Sequence, residues 1–126
     1  MVKKILIIDN DADFSEACRN FLEAAGYEVL YEQKEAYALR RAKEYTPDAI
    51  LLDIVMDTQE SGFAIAGALY ALEATREIPI IFLTGYFMQG GLLDKEKEIT
   101  KKFPNVRQIL DKPVKPAMLL EAIRKL

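Results

Sequence analysis

Short apolar runs of strand length alternate along the chain with longer segments in which apolar residues recur at helical spacing. Three of the runs are almost continuously aliphatic, as expected for parallel strands that are buried on both faces. The second run alternates apolar and polar residues, which suits a strand at the edge of a sheet. The predicted strands are Ile5–Ile8, Tyr27–Tyr31, Ala49–Leu52, Ile78–Leu83 and Val106–Leu110.

A helix is predicted after each of these strands. Gly26 is a typical stop for the first helix, and Thr46-Pro47 ends the second, because a residue before proline disfavours the helical conformation. Ser61 is the predicted N-cap of the third helix. The predicted helices cover Phe14–Ala25, Ala36–Tyr45, a segment that begins after Ser61, much of Leu92–Phe103, and the segment from about Pro116 to the C-terminus.

Five strand–helix units in succession predict an α/β fold. Short links between strand and helix favour a parallel sheet covered on both faces by right-handed crossovers. The 126 residues fit one domain, so we expect a single domain over residues 1–126. In such a sheet, ligands bind beyond the carboxyl ends of the strands, and candidate chemistry is therefore expected there.

Composition removes several classes of function. The net charge of −3 argues against direct nucleic-acid binding, and the absence of histidine excludes Ser–His and Cys–His catalysis and His-ligated zinc. No apolar run approaches the ~20 residues of a membrane span, and no signal peptide precedes the first strand. The lone Cys18 lies on the apolar stripe of the first helix and is expected to be a core residue. We expect a cytoplasmic protein without membrane contact.

Polar side chains follow four of the predicted strands at the edge where chemistry is expected. Asp9-Asn10-Asp11 follows the first strand and Asp53 the third, while Thr84-Gly85 ends the fourth and Asp111-Lys112-Pro113 follows the fifth. Each segment alone is compatible with helix capping or a loop. Together they place carboxylates, a hydroxyl and an ammonium group at one edge of the sheet.

These four segments, with the aliphatic runs before them, resemble the signature segments of response-regulator receiver domains. The resemblance covers essentially the whole chain, in order. It implies the flavodoxin-like doubly wound sheet with strand order 2-1-3-4-5, and a cis peptide bond before Pro113.

The resemblance further implies that Asp53 is a phosphoacceptor, and that a sensor histidine kinase or a phosphotransfer protein is its phosphodonor. A carboxylate can attack phosphorus in line and form an acyl phosphate. Because the carboxylate and the phosphoryl group repel each other, the family uses Mg²⁺ to neutralise them. The implied ligands are Asp9, Asn10, Asp53 and the main-chain carbonyl of Val55.

Three further residues have implied roles at this site. Lys112 would place its ammonium group at the phosphoryl oxygens, Thr84 would report phosphorylation through its hydroxyl, and Gly85 would leave room for the phosphoryl group. The altered surface, built by the fourth helix, fifth strand and fifth helix, would bind a downstream protein or output domain. A homodimer is also compatible with this surface.

The sequence departs from the family pattern at several positions. Asn10 stands where an acidic residue is usual, so its amide oxygen would bind Mg²⁺ without a charge. Asp11 could partly substitute for the missing carboxylate, or its side chain could instead cap the first helix. The loop after the phosphoacceptor contains Asp57, expected to be solvated, and its glycine, Gly62, comes about one position late. Ile109 replaces a common aromatic switch residue.

The segment between the fourth and fifth strands is longer than usual and contains Gly90-Gly91. Tyr86 in this segment could replace the missing aromatic switch. An ordinary loop tyrosine fits the position equally well.

Two other functions remain open. A pseudo-receiver would use the same fold as a phosphorylation-independent protein-binding module, as Asn10, Asp57 and Ile109 suggest. A haloacid-dehalogenase-type phosphatase would use Asp9 of Asp9-Asn10-Asp11 as the nucleophile, but it would leave Asp53 idle.

A calcium loop of the EF-hand type requires glycine at its sixth position, where this chain has Phe14.

Overall fold

The computed structural model describes residues 2–58, 60–85 and 96–126. Within these residues, five parallel strands form one sheet in the order β2-β1-β3-β4-β5, which confirms the predicted flavodoxin-like fold. The second strand lies at an edge, as its alternating pattern predicted. The strands are β1 (Lys4–Ile8), β2 (Glu28–Glu32), β3 (Ala49–Asp53), β4 (Ile80–Thr84) and β5 (Val106–Asp111).

Each strand is followed by a helix, and the predicted stops lie where two of the helices end. Gly26, just beyond the first helix, has φ +100, a conformation that glycine adopts without strain. Thr46 takes the left-handed conformation and ends the second helix before Pro47. The helices are α1 (Ala12–Ala24), α2 (Glu35–Tyr45), α3 (Ser61–Ala71), α4 (Glu96–Lys102) and α5 (Pro116–Arg124).

Part of the segment between β4 and β5 lies outside the described residues. Tyr86, Gly90-Gly91 and the predicted start of the fourth helix at Leu92 all belong to that part. The described portion of this helix begins at Glu96 and ends one residue before the predicted boundary at Phe103.

The predicted N-cap of the third helix is wrong by one position. Glu60 is the N-cap and makes no side-chain capping bond, while Ser61 is the first helical residue. The Ser61 hydroxyl accepts a hydrogen bond from the Thr58 amide (2.8 Å) and donates one to Glu35 Oε2 (2.8 Å). Its hydrogen-bonding capacity is therefore used toward the preceding loop and α2, and not toward the first turn of its own helix.

The three central strands are buried on both faces, which is why their runs are aliphatic. Alternate side chains of β3, such as Ile50 and Leu51, point into two separate apolar layers. The first layer contains residues of α2, α3 and α4, and the second contains residues of α1 and α5. Burying a large aliphatic side chain contributes roughly 1.5–3 kcal/mol, so these layers hold the carboxyl ends of the strands in fixed positions.

Cys18 packs against the second of these layers from α1, where it is half-buried. Burial raises the pKa of the Cys18 thiol to about 11, and the nearby negative charge of Asp9 adds to this effect. Cys18 was expected to be a core residue, and it packs against the core while keeping part of its surface exposed. None of the helices in the described part of the chain has the length and apolarity that a membrane crossing requires.

Candidate functional site

The four polar segments meet at the carboxyl edge of the sheet. Asp9 follows β1, Asp53 is the last residue of β3, Thr84 is the last residue of β4, and Lys112 follows β5. The parallel register holds the ends together: Asp53 lies opposite Leu83, and the Lys112 amide donates a hydrogen bond to the Thr84 carbonyl (2.8 Å). The prediction that this edge gathers the polar residues is confirmed.

Lys112 is the central cation of this edge. Its Nζ lies 2.5 Å from Asp9 Oδ2 and 3.6 Å from Asp53 Oδ2, so one ammonium group serves two carboxylates. The same nitrogen lies 4.3 Å from the centre of the Phe14 ring, within range of a cation–π contact. The next peptide bond, Lys112-Pro113, is cis, as predicted.

The two carboxylates are buried and each is oriented by a backbone amide. Asp9 has no exposed surface, and its Oδ1 accepts a hydrogen bond from the Asp11 amide (2.9 Å). Asp53 is 6% exposed, and its Oδ1 accepts one from the Val55 amide (3.1 Å). Asp53 is thus the more accessible of the two, whereas Asp9, the nucleophile of the phosphatase hypothesis, is enclosed beside Lys112.

The pKa of Asp53 is raised to about 6, mainly by burial and also by the neighbouring negative charge of Asp9. Lys112 and the hydrogen bond from the Val55 amide act in the opposite direction. The positive charge of Lys112 therefore offsets the repulsion between the Asp53 and Asp9 carboxylates only in part. A divalent cation between them would favour the ionised form of Asp53.

Thr84 and Gly85 border the same edge. Thr84 is fully buried at the end of β4, beside the backbone that holds Lys112. A Cβ atom added at Gly85 would lie 3.8 Å from the Cβ of Lys112, an ordinary contact distance. A side chain at this position would therefore begin beside the central lysine.

The residues that depart from the family pattern occupy different environments. Asn10 is exposed, and its Nδ2 donates a long hydrogen bond (3.4 Å) to the Met56 carbonyl in the loop after β3. Asp11 accepts a bond from the Phe14 amide (3.0 Å) and caps α1, as the sequence allowed. Asp57 is exposed, as expected for a solvated loop residue, and Ile109 is buried in the first apolar layer.

The loop between Asp53 and α3 depends on a close backbone contact at Gly62. The Gly62 amide donates to the Ile54 carbonyl (2.7 Å), and a Cβ atom at this position would lie 2.5 Å from Ile54 Cα and 2.7 Å from the Asp53 carbonyl oxygen. Only glycine permits this approach. The late glycine therefore allows the start of α3 to contact the backbone of Asp53 and Ile54.

The donor set at this edge fits Mg²⁺ in its chemistry. Asp9 and Asp53 supply two carboxylates, and the adjoining loop supplies backbone carbonyls; such hard oxygen ligands, completed by water, are those Mg²⁺ prefers. Within residues 2–58, 60–85 and 96–126, no group of three acidic, histidine or cysteine side chains converges on a metal position. Two carboxylates would thus carry the charge of the site, and Asn10 would add none.

Sequence reasoning missed Phe14 and Glu35 as neighbours of this site. Phe14 belongs to the apolar stripe of α1, and nothing in that stripe indicates that its ring lies beneath the ammonium group of Lys112. Among the described residues, Glu35 reaches the loop after Asp53 through Ser61, which is 26 residues away along the chain. Contacts of this kind depend on how the helices pack, and no local sequence signal reports them.

Comparison with known proteins identifies relatives of this arrangement. The sequence profile described as Response regulator receiver domain matches residues 5–124. The polar-differentiation response regulator DivK of Brucella ovis is 30% identical over 129 aligned residues, covering 98% of this chain and 95% of the relative. The solved structure of the chemotaxis response regulator CheY4 of Vibrio cholerae superposes with a TM-score of 0.83 at 25% identity, covering 99% of this chain and 98% of the other.

A further solved structure resembles the chain in the same way. The receiver domain of the sensor histidine kinase PA1611 from Pseudomonas aeruginosa PAO1 has a TM-score of 0.80 at 26% identity, with 99% of this chain and 97% of the other covered. That structure contains a magnesium ion coordinated in its active-site cleft.

Proposed function

The chain belongs to the response regulator receiver domain family, and on that premise we propose that Asp53 accepts a phosphoryl group from a sensor histidine kinase or a phosphotransfer protein. The observation that carries the proposal is the pair of buried carboxylates, Asp53 and Asp9, that share the single ammonium group of Lys112. The 126 residues contain no histidine, so a phosphohistidine donor lies outside them.

The proposed reaction is an in-line displacement at phosphorus. A carboxylate oxygen of Asp53 forms the new P–O bond while the bond between phosphorus and the donor imidazole nitrogen breaks, and the electron pair returns to the imidazole. The hydrogen bond from the Val55 amide holds one carboxylate oxygen and fixes the plane of the group. Lys112 provides positive charge near the oxygens of the arriving phosphoryl group.

Mg²⁺ is the proposed cofactor, and Asp9, Asp53 and the Val55 carbonyl are its proposed protein ligands, with the amide oxygen of Asn10 as a weaker one. The ion would neutralise the charge that develops between the carboxylate and the phosphoryl group. The magnesium in the related kinase receiver domain supports this assignment.

The proposed output is a change in partner binding. The phosphoryl group adds roughly −2 charge, which biases a pre-existing equilibrium between two conformations through Thr84, Lys112 and the adjoining loops. The surface built by α4, β5 and α5 then binds a downstream protein, an output domain or a second copy of the chain. We propose that residues 1–126 form a single receiver domain that acts in the cytoplasm, without direct contact with nucleic acid or membrane.

Intact mass spectrometry tests the phosphoacceptor. The protein is incubated with acetyl phosphate and Mg²⁺, and we expect the mass of one phosphoryl group to be gained. Asp53→Asn should abolish the gain and EDTA should prevent it. Asp48→Asn, at the opposite end of the same strand, is the matched control and should be phosphorylated normally. Equal phosphorylation of wild type and Asp53→Asn would refute the assignment.

A pseudo-receiver is the second candidate. The observation that favours it is Asn10, an uncharged residue whose side chain contacts the Met56 carbonyl and so ties two site loops without a metal. This candidate predicts no mass gain with acetyl phosphate or with a phosphorylated histidine kinase. Phosphorylation by either donor would exclude it.

A further inference from the structure

Glu35 connects α2 to the loop that follows Asp53. It is the first residue of α2 and is half-buried, and its Oε2 accepts a hydrogen bond from the Ser61 hydroxyl (2.8 Å) at the start of α3. Ser61 is only 1% exposed. A buried hydroxyl without an acceptor is unfavourable, and the Glu35 carboxylate at 2.8 Å is a closer acceptor than the Thr58 hydroxyl, which lies 3.2 Å from the same oxygen.

Ser61 extends the connection into the loop. Its oxygen accepts a hydrogen bond from the Thr58 amide (2.8 Å) while its proton is donated to Glu35. The Thr58 carbonyl in turn accepts a bond from the Met56 amide (3.3 Å). A chain of hydrogen bonds therefore runs from α2 through Ser61 and Thr58 to the residue next to Val55.

The end of the loop at Gly62 is held close to its beginning at Ile54. Gly62 is fixed against the backbone of Ile54 by a 2.7 Å hydrogen bond and by a contact that no side chain could tolerate. Among the described residues between Ile54 and Gly62, two long-range side-chain hydrogen bonds support the loop: the Glu35–Ser61 bond at 2.8 Å and the longer bond from Asn10 to the Met56 carbonyl at 3.4 Å. Val55, whose amide holds Asp53, lies on this loop.

We propose that Glu35 is a positioning residue for the phosphoacceptor site. Through the Ser61 hydroxyl it holds the loop in the conformation in which the Val55 amide meets Asp53 and the Val55 carbonyl is available to a cation. The inference rests on the proposed function, and it assigns Glu35 no contact with the metal or the phosphoryl group. The expected loss from removing Glu35 is therefore one of metal affinity.

The test is an NMR titration with Mg²⁺ that follows the amide resonances of Val55 and Gly62. We expect Glu35→Ala to raise the Kd for Mg²⁺ by roughly tenfold, the lower end of what is lost when a group supporting a metal ligand is removed. Ser61→Ala should have the same effect, and the double variant should be no worse, because both remove one interaction.

The conservative variant Glu35→Gln separates positioning from charge. It keeps a side-chain oxygen of the same reach for the Ser61 hydroxyl, so it should retain near-wild-type Mg²⁺ affinity. Glu44→Ala, an exposed position at the other end of α2, is the matched control and should change nothing. If Glu35→Gln fails as severely as Glu35→Ala while Ser61→Ala is unaffected, the effect is one of charge and the inference is overturned.

The metal-free spectra keep this test independent of the proposed function. We expect the Val55 amide resonance to move in Glu35→Ala and Ser61→Ala, and to return in Glu35→Gln, before any Mg²⁺ is added. A wild type that binds no Mg²⁺ would refute the proposed metal site, whereas these shifts would still decide the role of Glu35. Unchanged Val55 resonances in both alanine variants would overturn the inference.

Discussion

Aspartates flank both ends of β3, and their environments are opposite. Asp48 precedes the strand; its exposed carboxylate accepts hydrogen bonds from the Lys3 and Lys4 amides, both at 2.9 Å. These bonds hold the pKa of Asp48 below its ordinary value. Asp53 ends the strand; it is buried beside Asp9, and its pKa is raised to about 6.

The difference separates a structural carboxylate from a chemical one. Backbone amides and water already stabilise the charge of Asp48, so this residue joins β3 to β1 and has no reactivity to offer. Burial and the neighbouring negative charge destabilise the ionised form of Asp53. A cation that binds there, or an electrophile that reacts with it, therefore relieves more unfavourable free energy than it would at Asp48. Both residues are aspartates at the ends of one strand, and their different surroundings decide the role of each.

The largest expected effect comes from removing the cation of the Asp53 end. Lys112→Met leaves Asp9 buried without its ion-pair partner, and we expect the free energy of unfolding to fall by about 3–5 kcal/mol near pH 8 in EDTA. Urea denaturation measures this change. Lys115→Met, at an exposed position nearby, should stay within about 0.5 kcal/mol of wild type. A Lys112→Met loss as small as that of the control would contradict the buried ion pair.

Neutralising Asp53 should raise the free energy of unfolding, the opposite of the effect expected for Lys112→Met. The folded-state pKa of about 6 lies above the ordinary value of 3.8, so this group binds protons more tightly in the folded protein and reduces its stability as pH rises from about 4 to 6. Asp53→Asn should therefore be more stable than wild type by about 1–3 kcal/mol near pH 8 without metal. The advantage should shrink toward pH 4, and an advantage independent of pH would contradict the raised pKa.

The smallest effect is expected at the Asp48 end. Asp48→Ala removes the acceptor of two backbone amides, and we expect a loss of about 1 kcal/mol, because solvent screens this exposed carboxylate. Since the pKa of Asp48 is lowered by folding, its contribution is present at neutral pH and is lost as pH falls through the acidic range. Thermal unfolding near pH 7 and near pH 3 checks both statements; a gain in stability near pH 7 would contradict the comparison.

The sequence predicted the fold and most of the site for a definite physical reason. Continuous aliphatic runs occur where strands are buried on both faces, and polar residues directly after such runs lie at one edge of a parallel sheet. Asp9, Asp53, Thr84 and Lys112 could therefore be grouped before any coordinates. The N-cap of α3 could not be predicted, because Ser61 forms its bonds with Thr58 and Glu35, and only the packing of α2 beside α3 brings Glu35 there.

The same reasoning explains which refinements of the site needed the structure. The sequence identified Gly62 only as a glycine at an unusual spacing, whereas its contact with Ile54 shows why no other residue fits. Phe14 falls on the apolar stripe of the first helix, and that periodicity gives no sign of Lys112 above its ring. Periodicity reports which face a residue occupies, and it does not report the partner from a distant element.

Cys18 makes the protein convenient for site-directed spectroscopy. Its thiol has a pKa of about 11, so only a small fraction is the reactive thiolate near neutral pH. A second cysteine introduced at an exposed position such as Met118, on α5, would react with a maleimide dye far faster than the native one. The chain also contains no tryptophan. A fluorophore or a single engineered indole would thus report on partner docking against a nearly silent background, with the native cysteine left in place.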